Sequence, residues 1–110
     1  ALAAIQGSRD CVKDMARSYN LRRDLLIDGL QAIPGITLIP PKGAFYAFPQ
    51  LPERVTDSME FCRRALEDEG LAVVPGVAFG DDRCIRLSCA VSRETITTGL
   101  ERLQRTLSQF

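Results

Sequence analysis

Histidine and tryptophan are absent from the 110 residues, and lysine occurs only twice, as Lys13 and Lys42. Without histidine, imidazole-based proton transfer and histidine metal ligation are excluded within the chain. An excess of charge of either sign is also missing, since 14 basic residues balance 14 acidic ones. No electrostatic ground therefore favours nucleic acid or an anionic membrane as a partner. No apolar run approaches the length needed to span a bilayer. The four cysteines, Cys11, Cys62, Cys84 and Cys89, include no Cys-x-x-Cys pair, and without histidine no common zinc pattern can be drawn through them. An even count leaves disulfides open, but no secretory leader is evident, so reduced thiols and a cytoplasmic location are expected.

What is present is ordinary for a folded domain: 45% hydrophobic and 25% charged residues argue against disorder, and the length suits one domain over residues 1–110. Ala1-Leu2-Ala3-Ala4-Ile5 reads as the end of a helix that begins upstream. From Ser8 to Ala32, apolar residues recur at helical spacings (Val12, Met15, Tyr19, Leu26, Leu30, then Ile33), with Ser8 as N-cap and Pro34-Gly35 as the stop. Ile36–Ile39 and Ala44–Phe48 read as two strands separated by Pro40-Pro41-Lys42-Gly43. A second helix is predicted over Asp57–Glu69, with Asp57 and Glu60 spaced as a capping box. Its buried stripe is expected at Met59, Cys62, Ala65 and Leu66, and Gly70 is placed to end it. Leu71–Val74 and Cys84–Cys89 are two further strands. In the latter, Ile85, Leu87 and Cys89 share one face; Cys84, Arg86 and Ser88 share the other. Ser92 caps a last helix with apolar positions Ile96, Leu100, Leu103, Leu107 and Phe110. This order predicts an α+β, two-layer α/β fold in which a small sheet carries helices on one face.

Three segments stand out by their order and spacing: Pro41-Lys42-Gly43-Ala44-Phe45-Tyr46, then Val74-Pro75-Gly76-Val77-Ala78-Phe79-Gly80, then Ile85-Arg86-Leu87-Ser88-Cys89-Ala90 with Ser92 and the helix behind it. Together they resemble the C-terminal small domain of class I/II, fold type I aminotransferases, and the likeness runs from the first long helix to Phe110. It implies a mostly antiparallel sheet in a domain that closes over pyridoxal 5′-phosphate bound mainly by a separate large domain. The enzyme so implied moves an amino group between an amino acid and a 2-oxo acid, works as a homodimer, and resembles the aspartate-active subgroup most. The family's Schiff-base lysine lies in a Ser-Lys motif that is missing here, so catalytic and cofactor-binding residues are expected outside this chain. The chain alone is expected to be inactive. A carbon–sulfur lyase or a decarboxylase would share the same fold, and a free-standing amino-acid-binding module is a further alternative.

Arg86 is the leading site residue. By resemblance it binds the substrate α-carboxylate, and a guanidinium suits that role, because it stays charged and offers two parallel donors. Strand alternation sets it opposite the Ile85/Leu87 face. Gly43 is, by resemblance, near the substrate entrance, where a missing side chain lets backbone approach a ligand; otherwise it serves only the turn, and Phe45 and Tyr46 fill the core. Pro75-Gly76 through Gly80 reads either as a mobile loop bordering the site or as a rigid connection. Lys42 and Lys13 read as solvated lysines. Cys62 and Cys89 read as small core residues, whereas Cys84 shares the face of Arg86. Asp81-Asp82 has no third ligand at a useful spacing and reads as a solvated turn.

Overall fold

The computed structural model describes residues 1–110. Leu2–Gln6 form a short helix, α1, none of whose residues is buried. The long helix α2 runs over Asp10–Gln31. Its N-cap is Arg9, one residue beyond the expected Ser8. Ser8 still serves the helix start: its hydroxyl accepts from the Asp10 N–H at 3.2 Å and donates to the Asp10 carboxylate at 2.6 Å. Only the second half of the predicted α2 stripe is covered. Leu26, Leu30 and Ile33 are buried, whereas Val12 and Met15 are 61% and 60% exposed. Periodicity marks an apolar face but not what lies on it, and no other element of this chain covers that half.

After α2, Ile36–Ile39 does not become a strand. Thr37 alone pairs, with Gln50, through N–H···O contacts of 3.1 and 2.8 Å. Pro40 and Pro41 follow directly and have no N–H with which to extend a ladder. Of the expected Ala44–Phe48 strand, only Tyr46–Ala47 is regular; this is β1. Helix α3 spans Ser58–Glu69. Asp57 caps it, its carboxylate accepting from the Glu60 N–H at 2.8 Å. Glu60 turns to Arg63 instead of completing the box, with contacts of 2.8 and 2.7 Å. Gly70 ends α3 in the left-handed region at φ 62°.

The buried stripe of α3 is Ser58, Phe61, Cys62 and Ala65. Met59 and Leu66, expected inside, are exposed. The helix is rotated so that its largest side chain faces inward: Phe61 is fully buried, packed 5.4 Å from the Phe110 ring. Burying a phenylalanine fully is worth roughly 1.5–3 kcal/mol, and the same rotation seats the Ser58 hydroxyl against Asp82.

Strand β2 is Val74–Pro75, shorter than the expected Leu71–Val74 run. A 3-10 turn, Gly76–Phe79, follows. Strand β3 is Ile85–Ser88, and α4 is Arg93–Leu107, capped by Ser92, whose hydroxyl accepts from the Thr95 N–H at 3.1 Å. The sheet is antiparallel throughout with order β1-β3-β2. Helix α4 packs against both α2 and α3. One core joins the three long helices to the sheet through Leu30, Phe61, Ile85, Ile96 and Leu103. The result is the α+β arrangement anticipated above, with three strands instead of four.

Candidate functional site

β3 is the central strand, so its side chains are placed by neighbours on both edges. Tyr46 pairs with Ser88 and Ala47 with Leu87 on one side, Val74 with Arg86 and Pro75 with Ile85 on the other. Paired residues share a sheet face. Ile85 and Ala47 therefore enter the core together, and both are buried. Arg86, Ser88, Tyr46 and Val74 share the opposite face, as alternation predicted for Arg86.

The Arg86 guanidinium carbon lies 4.3 Å from the centroid of the Tyr46 ring and 4.4 Å from that of Phe79. Both rings are braced, since Phe45 lies 4.4 Å from Tyr46 and Phe48 meets Phe79 edge-on at 5.9 Å. Such contacts stabilise a cation through the ring quadrupole, at about 0.5–2 kcal/mol each. They leave the N–H edge free. Arg86 makes no salt bridge and no hydrogen bond within the chain. Of the other half-buried arginines, Arg22 donates to the Val91 carbonyl, Arg23 to Asp24 and Arg102 to the Gly70 carbonyl, while Arg64, stacked on Phe110, has a carboxylate, Asp68, at 3.9 Å. A cavity of about 220 Å³ opens beside Arg86, bounded by Tyr46, Ser88, Val74, Leu71 and Leu100. Its lining is mostly apolar, so Arg86 is its one full charge.

The loop that carries Phe79 is held at several points. The Gly76 N–H donates to the Cys84 carbonyl at 2.8 Å, and the Asp81 N–H to the Gly76 carbonyl at 3.1 Å. Asp81 also takes two contacts from the Arg83 guanidinium, at 2.9 and 2.7 Å, and these hold its carboxyl down at a pKa of about 2. Asp82 accepts from the Ser58 hydroxyl at 2.6 Å and from the Ser58 N–H at 2.9 Å, which lowers its carboxyl below the ordinary range. The pair read as a solvated turn is thus a bonded one. Spacing alone carried no sign of it, because Ser58 and Asp82 lie 24 residues apart. Tyr46 and Phe79 were likewise not legible as partners of Arg86.

Cys84 does not join the open face. It is buried, as are Cys62 and Cys89. Cys84 closes the loop 76–84 through its carbonyl, and burial raises its thiol; burial likewise pushes Cys62 up to about 11. All four thiols are free, with Cys11 exposed. Lys42 is exposed in its loop, and Lys13 is exposed beside Asp10 at 3.8 Å. No group of three acidic or cysteine side chains converges on a point that could hold a metal.

Gly43 lies in the loop before β1, and a Cβ built on it meets nothing within 4 Å. Its neighbour Ala44, not Gly43, takes the left-handed conformation, at φ 57°. Intramolecular packing therefore does not require glycine at 43. Gly43→Ala is expected to change stability by less than about 0.5 kcal/mol, as checked by denaturant unfolding.

The solved structures that this chain resembles share its architecture closely. The aspartate aminotransferase of Rhizobium meliloti superposes with a TM-score of 0.89 at 34% identity, over 96% of this chain and 29% of that one. The aromatic aminotransferase of Pyrococcus horikoshii gives 0.85 at 35% identity, over 96% and 29%. The fold is that of the fold type I aminotransferases. Residues 1–103 match the family model described as aminotransferase class I and II. The aspartate aminotransferase of Pinus pinaster is 38% identical over 97% of this chain and 24% of its own length. For the probable aspartate/prephenate aminotransferase of Aquifex aeolicus the figures are 36%, 100% and 29%. The chain belongs to the class I and II aminotransferase family and spans about a quarter of the length of these relatives.

Membership implies pyridoxal 5′-phosphate as the family's cofactor. The residues of this chain do not fit that group. Its aldehyde needs a lysine amine shielded from bulk water, and both lysines here are exposed. The cavity beside Arg86 is apolar and has no phosphate cradle. No catalytic step is therefore assigned to these residues.

Proposed function

We propose that this chain is the C-terminal small domain of an aminotransferase that moves an amino group between an amino acid and a 2-oxo acid, with Arg86 as the anchor for the substrate α-carboxylate. The observation that carries the reading is the state of Arg86. Arg86 is half-buried, yet no carboxylate or carbonyl of its own chain accepts from it, and its N–H groups stay open to water or to a ligand. Here two rings stack on the charge and no carboxylate neutralises it. An external carboxylate would complete the site with two parallel N–H···O bonds. Gly43, in the loop leading to β1, leaves its backbone open but does not bound the cavity beside Arg86.

In this reading the remaining machinery lies on the enzyme's own large domain, which binds pyridoxal 5′-phosphate. The exposed apolar residues Leu2, Ile5, Val12 and Met15 of α1 and α2 offer that domain a surface to cover. The enzyme works as a homodimer in the cytoplasm, where the four thiols stay reduced. Aspartate is the first amino donor to test, because several relatives are named aspartate aminotransferases.

The test is amino-group transfer with pyridoxal 5′-phosphate, using the complete parent protein and this chain separately. The parent is expected to transfer the amino group of an amino acid to a 2-oxo acid, with a change in cofactor absorbance when the amino acid is added. The chain alone is expected to do neither. Turnover by the chain alone, or none by the parent with any common amino acid, would overturn the proposal.

A further inference from the structure

We infer that Ser58, held by Asp82, is a positioning residue for Arg86: together they form a hydrogen-bonded latch at the start of α3 that seats the 3-10 turn and so sets Phe79 against the guanidinium. The inference rests on the reading of Arg86 as carboxylate anchor.

Ser58 is the first residue of α3, and its N–H has no acceptor inside the helix. Asp82 supplies one from beyond the 3-10 turn. Its Oδ1 accepts from the Ser58 N–H at 2.9 Å and from the Ser58 hydroxyl at 2.6 Å. A carboxylate at this end of a helix is favoured by the axial dipole, and the two Ser58 contacts keep Asp82 ionised below the ordinary carboxylate range. With its proton committed to Asp82, the Ser58 oxygen accepts from the Val77 N–H at 3.2 Å. The chain of donors runs from Val77 through Ser58 to Asp82. Ser58 is fully buried, so water does not replace a missing hydroxyl without rearrangement.

Val77 lies inside the 3-10 turn, two residues before Phe79. The turn is pinned at its start by Gly76 on Cys84 and in its middle by Val77 on Ser58. Its last side chain then lies 4.4 Å from the Arg86 guanidinium, with the Tyr46 ring at 4.3 Å. Two rings restrict the rotamers of a long side chain while leaving its donors free. Much of the ordering cost of binding is then met before the ligand arrives. No acceptor within the chain competes for those donors.

The test uses the complete parent enzyme with pyridoxal 5′-phosphate, aspartate and the 2-oxo acid it turns over best, and compares Ser58→Ala, Asp82→Ala, Phe79→Leu and the Ser58→Ala/Phe79→Leu double variant. Each single change is expected to raise the Michaelis constants of both substrates roughly 3- to 10-fold, the size of a lost ring contact, with kcat affected less. The double variant is expected to match Phe79→Leu alone, because Ser58 acts through Phe79. Unchanged Michaelis constants in the single variants, or independent multiplication in the double, would overturn the inference. If Ser58→Ala does not fold, Asp82→Ala, at an exposed partner, decides in its place. If Arg86→Lys also leaves both constants unchanged, the carboxylate reading fails instead. If Arg86→Lys raises them and the latch variants do not, only the latch fails.

Discussion

Replacing Arg86 by lysine in the complete enzyme is expected to raise the Michaelis constants for the amino acid and the 2-oxo acid together, roughly 10- to 100-fold. Lysine keeps the charge but loses two features that the proposed role requires. It presents a compact ammonium where two parallel N–H groups would face a carboxylate, and it has no flat face to lie between Tyr46 and Phe79. A hydrogen bond to a charged group is worth about 1.5–3 kcal/mol, and each 1.4 kcal/mol is tenfold in affinity. Both substrates are affected because each carries a carboxylate beside the reacting carbon. The unfolding midpoint is expected to fall only by what the weakened ring contacts cost, since lysine keeps a cation over the rings and Arg86 makes no ion pair or hydrogen bond that folding depends on. An ordinary structural arginine predicts the reverse: lower stability and unchanged Michaelis constants. Steady-state kinetics on both half-substrates and a thermal melt of the same preparation separate the two.

Arg86 was legible in the sequence because its signal is local. Alternation along Cys84–Cys89 sets it opposite Ile85 and Leu87, and two neighbouring motifs supply the context. Its aromatic partners were not legible, because they depend on register and on a loop. Tyr46 reaches the guanidinium only because β1 pairs with β3 at Tyr46–Ser88; pairing with Ile36–Ile39 instead would carry it elsewhere. Phe79 arrives through a turn whose seat, Ser58, belongs to another helix. The error on α3 has a related cause. Met59, Cys62, Ala65 and Leu66 satisfy helical spacing about as well as Ser58, Phe61, Cys62 and Ala65 do. The choice between them turns on a buried serine, which hydropathy rejects and which Asp82 makes acceptable by accepting its hydroxyl hydrogen bond. On α2 the period was right and the burial incomplete, for a pattern records a face without recording its cover.

Gly76→Ala is expected to be the most damaging small change in this chain. A Cβ at residue 76 would lie 2.2 Å from the Asp81 carbonyl oxygen, 2.2 Å from that of Cys84 and 2.7 Å from the Cys84 carbonyl carbon. All three are backbone atoms, so no side-chain rotation relieves the clash. The Gly76 N–H donates to the Cys84 carbonyl, and the Gly76 carbonyl accepts from the Asp81 N–H. Moving the chain apart therefore breaks the bonds that close loop 76–84. It also pulls on the pairing of Pro75 with Ile85 at the centre of the sheet. Overpacking and lost buried hydrogen bonds together cost about 3 kcal/mol, a fall of roughly 10–20 °C in the unfolding midpoint of a domain this size. Gly43→Ala, where the new methyl meets nothing, is the matched control and should melt with the parent. The loop damage should reach binding as well, because Phe79 rides on the displaced turn. The surviving folded Gly76→Ala protein should therefore show raised Michaelis constants at temperatures well below its melt. A Gly76→Ala midpoint equal to that of the control would mean that the close backbone approach at residue 76 is not what holds this loop closed on the Cys84 carbonyl and beside Arg86.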